Sequence, residues 1–571
     1  MLKKVFGHFF QNKLAILLIF VGSLVWSLTL IRSGLKYSFG LGFWGPNAHD
    51  GIWHIALAES LVKGTLNNPI FAGYKLTNYH LGFDAILALL NKITSIPIVT
   101  LYFQIIPPIL AVLVGILSYK LILSWSKSKA ITLWSLFFIY FGGGFGFLVS
   151  LIRGEGLGGD SMFWIQSAAT TLVNPPFALS LVILLAGLLV LTKYKTSRNL
   201  KYLIFSSLLF GILVQIKVYA TVVVLGALFV ASIFAAFYEK KYELFNVFVF
   251  SVLISLVLLF SISPNFSSLI VFYPFWFLEN MMNFGDRFHW ERFYQAMVTY
   301  KSGRIYLKAI AAYGVAFLIF IIGNLGTRMI GFLILKRWLK KFDCFKIFTL
   351  SGIIIGIIIP MFFLQKGTPW NTIQFSYYSV FFSAILAGYS VNFILDNIKS
   401  RILKYLCILL VIGFTIPTTF ATLRHYISKI PHSKISNNEL AALNILRKEP
   451  KGTVLSIQLL GEDSLNTLDK YVPIPIYLYE STAYISAFSK MQGYFEDEVN
   501  LNILGYNWPE RKEKIIAFLK NSNSVSGRDF LRNESIDYIY LIKRAGVGLD
   551  EKTLGIKNIF NNDEVIIYQV N

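Results

Sequence analysis

Long apolar stretches recur along the first three quarters of the chain, at about 14–31, 101–124, 130–150, 174–192, 200–216, 218–237, 244–262, 306–335, 346–364, 372–394 and 403–421. A helix rises 1.5 Å per residue, so ~20 apolar residues cross a hydrocarbon layer of ~30 Å. The pattern predicts about eleven transmembrane helices. Between the first and second stretches, the segment 32–100 follows a different rhythm. Residues 51–63 have helical periodicity ended by Gly64, and Asn67-Asn68-Pro69 reads as a turn. A second helical stretch, from His80 to about Ile93, is too short to cross and reads as interfacial. The pattern changes again near residue 425. Strand-like runs at 452–457, 536–542 and 565–570, with an amphipathic helix at 510–520, predict a small α/β domain. The reading is an α-helical multi-pass membrane domain, 1–424, followed by an α/β domain, 425–571.

Charge orients this pattern. Hydrophobic residues make up 55% of the chain and charged residues only 14%, against about 25% charged in soluble domains. The net charge of +22 is unevenly spread: residues 1–424 hold 35 basic and 12 acidic side chains, the remainder 17 and 18. The basic residues cluster in alternate short loops, as at Lys3/Lys4/Lys13, Lys127/Lys129, Lys193/Lys195/Arg198/Lys201, Lys240/Lys241, Lys336/Arg337/Lys340/Lys341 and Lys399/Arg401/Lys404. That is a topology signal, not a nucleic-acid footprint. It predicts a cell-membrane protein with a cytoplasmic N-terminus and an extracytoplasmic C-terminal domain. The run from Leu14 is too long for a typical signal-peptide core and reads as a retained span. The two cysteines, Cys344 and Cys407, exclude a disulfide framework.

Eight of the 12 acids before residue 425 fall in the loops predicted to face outward, and Asp50 is the first of them. It stands in Asn47-Ala48-His49-Asp50-Gly51-Ile52-Trp53-His54. A carboxylate at a helix start can serve simply as an N-cap. It can also take a proton from an attacking hydroxyl. Asp50 and His54 are i,i+4 and share a helix face, with His49 and His80 as candidate substrate contacts. The same spacing permits a divalent metal on Asp50 and His54, with no third ligand fixed by sequence.

Lys217 interrupts two apolar runs with no loop around it, where a lysine snorkels or meets an anion such as phosphate. Arg287 and Arg292 lie in the aromatic-rich segment 283–292; headgroup contact is the simpler reading, a phosphate clamp the sharper one. Asn371 and Gln374, after the Gly367-Thr368-Pro369-Trp370 turn, are amides suited to sugar hydroxyls or to capping. Asn174-Pro175-Pro176 reads as a structural helix start.

An early acidic residue in a long loop after the first span, an interfacial helix near His80, a many-span core, the 367–371 segment and a trailing α/β domain together resemble the GT-C glycosyltransferases. These include the protein O-mannosyltransferases, the lipid A aminoarabinose transferases and an uncharacterised prokaryotic branch. The resemblance implies a GT-C-like fold, a polyprenyl-phosphate-linked sugar donor, a glycan, lipid or protein acceptor, and an inverting transfer outside the bilayer with Asp50 as base. The sequence departs from the Asp-Glu pair of the O-mannosyltransferases, since Gly51 follows Asp50. The alternatives are a transporter or flippase of lipid-linked glycans, or a glycan polymerase or ligase.

Overall fold

The computed structural model describes residues 12–260, 270–340, 342–458, 472–478 and 482–571. Lys3 and Lys4 lie outside the described residues, as does part of the loop predicted at 263–305. All eleven apolar stretches are mainly helical over their described residues. Eight helices are long and apolar enough to cross a membrane, among the described residues. A further pair, Lys129–Phe141 and Gly146–Ile152, is bent by 53° at the Gly142-Gly143-Gly144 break, and Lys13–Ser27 and Leu200–Ile216 are shorter apolar helices. The chain is a multi-pass membrane protein.

It forms two compact units. The first contains the described residues of 1–29 together with 107–427. Its most enclosed helix is Gln374–Asn397, packed against Lys129–Phe141, Cys344–Phe362 and the turn of helix at Gly326–Ile334. Close approach depends on small residues, as is usual between membrane helices. A Cβ at Gly388 would lie 2.1 Å from Ser135 Oγ. Helix Lys13–Ser27 is tied in by Trp26, whose indole N–H donates to the Tyr140 carbonyl at 3.0 Å.

The second unit joins 30–106 to 428–571. The loop that composition grouped with the spans therefore packs with the tail, and backbone pairing is the reason. Strand Gly40–Phe43 runs antiparallel to Ser433–Ser436, with Gly40 opposite Ser436, in a four-stranded sheet completed by Lys36–Tyr37 and Ile474–Pro475. Farther on, the Gly493 amide donates to the Pro69 carbonyl at 2.7 Å and the Glu496 amide to the Ile70 carbonyl at 3.0 Å. Strands of two to four residues carry almost no periodic signal, so composition missed this pairing.

The tail's strands form a five-stranded sheet in the order Ile556–Asn561, Val565–Val570, Tyr538–Ile542, Thr453–Ile457, Gln492–Gly493. Tyr538–Ile542 is buried throughout, as its unbroken apolar run predicts. Helix Asp50–Val62 packs on helix Gly82–Thr94 and on Tyr484–Ser489. Gly51 has a steric cause: a Cβ there would lie 2.6 Å from the Phe103 ring. A glutamate in its place, as in the O-mannosyltransferase pair, has no room.

Candidate active site

Each unit holds polar clusters containing sequence-predicted residues. In the second unit, Asp50 is the first residue of helix Asp50–Val62, and His49 occupies the cap position that sequence gave to Asp50. The His49 ring lies between two carboxylates. Its Nδ1 is 3.2 Å from Asp50 Oδ1 and its Nε2 is 3.1 Å from Asp497 Oδ1. Carboxylate oxygens only accept, so the ring satisfies both contacts as the doubly protonated cation. Burial by itself favours the neutral ring. The charge of Asp497, its hydrogen bond and the contact with Asp50 outweigh this and hold His49 well above its ordinary value.

Asp497 is fixed from behind. It caps helix Glu498–Leu504 by accepting from the Asn500 amide at 3.0 Å, and its second oxygen accepts from Asn500 Nδ2 at 2.7 Å. Its side chain is fully buried, whereas that of Asp50 is 45% exposed. The chain Asp497–His49–Asp50 thus runs from a sealed, rigid end to an open one. It can hold the outer carboxylate oriented towards solvent.

His54 is placed elsewhere. Its Nδ1 lies 2.8 Å from Asp84 Oδ1, with both side chains buried. Its ring stacks on Tyr102 at 5.7 Å and meets Phe83 edge-on at 5.8 Å. Burial raises the Asp84 carboxyl above its ordinary value, opposed by the charge and hydrogen bond of His54. The predicted convergence of His54 with Asp50 is replaced by a clamp between two helices. His80, half-buried before helix Gly82–Thr94, stacks against Tyr79 at 4.5 Å. Tyr79 in turn lies 6.2 Å from the His54 ring. Among the described residues no group of three or more His, Cys, Asp or Glu side chains is arranged to hold a metal.

In the first unit, Lys217 sits in extended conformation between helices Leu200–Ile216 and Val218–Phe234 and is only 5% exposed. Its ammonium donates to Asn174 Oδ1 at 3.3 Å and lies 5.5 Å from the Tyr219 ring centre. Tyr219 Oη donates to Gln365 Oε1 at 3.1 Å. Asn371 Nδ2 donates to the same oxygen at 2.9 Å, and Gln374 donates to Asn371. Lys217, Asn371 and Gln374 therefore belong to one network, joined by Tyr219 and Gln365.

Asn174 lines a narrow cavity of about 50 Å³ whose wall includes Gln166, Thr170, Thr171 and Arg328. Arg328 is 2% exposed and donates to the carbonyls of Leu325 and Asn324, each at 3.1 Å. It forms no ion pair among the described residues. Arg287 stacks on Trp164 at 4.4 Å and donates to the Ser161 carbonyl and hydroxyl, each at 3.2 Å. Arg292 is exposed.

Sequence reading missed Asp497, Arg328 and the role of Asn174. Arg328, a lone arginine inside an apolar stretch, was the one that composition could have flagged.

No known family model matches the chain, and no curated protein matches it. Solved structures do. The oligosaccharyltransferase of Archaeoglobus fulgidus, solved tethered to an acceptor peptide with the NVT sequon, aligns with a TM-score of 0.54 at 15% identity, over 94% of this chain and 70% of that one. The mycobacterial arabinofuranosyltransferase AftD aligns with a TM-score of 0.51 at 10% identity, over 98% of this chain and 40% of that one. The chain has the GT-C fold. Within this GT-C fold the Asp50 cluster is carried by the loop after helix Lys13–Ser27 together with the tail, and the Lys217 network by the helical unit.

Proposed function

We propose that the chain is an integral-membrane glycosyltransferase that moves a sugar from a polyprenyl-phosphate donor to an acceptor hydroxyl. The reaction takes place on the extracytoplasmic side, with inversion. The GT-C fold supports this reading. The observation that carries it is Asp50, a half-exposed carboxylate held by an imidazolium whose far side is locked by buried Asp497. Asp50 takes the acceptor's proton as its oxygen attacks the anomeric carbon. The bond from that carbon to the phosphate oxygen breaks, and the lipid phosphate leaves with the electron pair. No nucleotide site is needed, because the phosphate is already a good leaving group.

Lys217 and Arg328 supply positive charge in a part of the molecule poor in acids, which suits a lipid phosphate. Arg287 is largely engaged with Trp164 and Ser161 and so is better suited to shaping its loop. His80, Asn371 and Gln374 remain candidates for sugar contacts. The test supplies radiolabelled polyprenyl-phosphate sugars to the full-length protein and to Asp50→Asn. Label should pass to a glycan, lipid or protein acceptor with the wild type and not with the variant. Lipid movement across vesicles without any transfer would replace this reading with a flippase.

A further inference from the structure

The helix that starts at Asp50 ends, about 20 Å along its axis, at a second cavity, of about 350 Å³. Small-molecule sites fall in the range of about 300–1,000 Å³. Lys63, Lys451 and Lys490 line it, with Glu59 as the one carboxylate among the described residues. Lys490 pairs with Glu59 at 2.5 Å, and Lys63 donates to the Lys490 carbonyl. An excess of two positive charges is left facing the cavity. The wall also contains Asn68, which is fully buried. Its Oδ1 accepts from the Ile70 amide at 3.0 Å, but its Nδ2 has no hydrogen-bond partner. A buried donor left unmatched is destabilising, and an acceptor in the cavity would relieve that. The carbonyl end of the helix disfavours an anion slightly; three ammonium groups outweigh it.

We propose that this cavity is a binding site for a dianionic phosphomonoester, gripped by Lys63, Lys451 and Lys490 and by the amide of Asn68. Phosphate matches the site better than a carboxylate, because it carries the two charges and offers three terminal oxygens to several donors. The site lies apart from Asp50 and stands whatever reaction Asp50 serves. Burial, with Lys451 and Lys490 acting in the same direction and Glu59 against them, lowers Lys63 to about 8. A bound dianion restores the charged form, so binding takes up a proton when the pH is about 8 or a little higher.

The experiment titrates the full-length protein in detergent with inorganic phosphate and with glucose 1-phosphate, by calorimetry in two buffers of different ionisation enthalpy. Saturable binding with proton uptake is expected. Lys451→Glu, at an exposed position, should weaken it by about tenfold or more, and Asn68→Ala by less. Repeating the titration in phosphatidylcholine nanodiscs with and without phosphatidic acid separates the sources. Loss of phosphate binding only with phosphatidic acid identifies a lipid headgroup, and binding indifferent to it identifies a soluble phosphomonoester. Absence of saturable binding in detergent overturns the proposal, and so does unchanged affinity in a folded Lys451→Glu protein.

Discussion

Helix Asp50–Val62 holds His49 at its cap and His54 just over one turn farther in, and each ring meets an aspartate supplied by a distant segment. The His54–Asp84 pair is shut away, with side chains 5% and 0% exposed. The His49–Asp497 pair is equally buried at its inner end but continues to Asp50, which opens to water. The same two residue types thus produce two devices. A sealed pair has only its partner to act on, so it fastens helices together. An open-ended chain can pass its orientation to a group that a substrate can reach.

Substitutions can separate the two devices. The largest effect is expected from Asp50→Asn, which should cut sugar transfer by about 10²–10⁴-fold while leaving thermal unfolding in detergent unchanged. Asp84→Ala should do the reverse. It leaves His54 without its buried partner and should lower stability by about 3–5 kcal/mol, read from chemical unfolding, with activity lost only as folded protein is lost. If Asp84→Ala abolished transfer in fully folded protein, the division between clamp and chemical site would collapse.

Asp497→Asn should fall between these, at about ten- to a hundredfold in kcat, because it releases the ring that positions Asp50. It also carries a pH signature. His49 is raised in the folded state, so its contribution to stability is fully present below about pH 6.5 and is lost as the pH rises through the raised value. Removing the Asp497 charge should bring that loss to lower pH, seen as an earlier alkaline decline in both stability and rate. Lys217→Gln should show the smallest effect, about a tenfold rise in KM for the lipid donor, with partial recovery in Lys217→Arg. An effect on kcat alone would argue that Lys217 does not bind the ground-state phosphate.

Much of the fold was legible because its signals are local. Apolar stretches of membrane-crossing length marked the helices, and the apolar run at 538–542 marked a central strand. Asp50 was legible for a similar reason: a carboxylate stands out where acids are rare. Its partner was not, because Asp497 lies in a tail where acids are common and nothing local ties it to His49. The placement of His54 went the other way. Helical spacing correctly put His54 and Asp50 on one helix, but not what the neighbouring helix would offer, and Asp84 reached the ring. Arg328 was passed over because a single basic residue leaves an apolar stretch apolar. The grouping of 30–106 with the tail depends on short strands and backbone hydrogen bonds, which side-chain pattern does not encode.

The second unit is assembled from two pieces of chain separated by nearly all the membrane helices. His49 and Asp497 are 448 residues apart. At about 5–20 residues per second on the ribosome, roughly 20–90 s pass between synthesis of the one and of the other. For most of that interval the loop bearing Asp50 lacks its sheet partner, Ser433–Ser436, and until its end it lacks its backbone contacts at 493–496. The carboxylate acquires its fixed orientation only after every helix of the first unit has been made. A chain interrupted before the tail carries Asp50 without its lock, so, on the role proposed for Asp50, this arrangement makes transfer contingent on synthesis of the tail as far as Asp497.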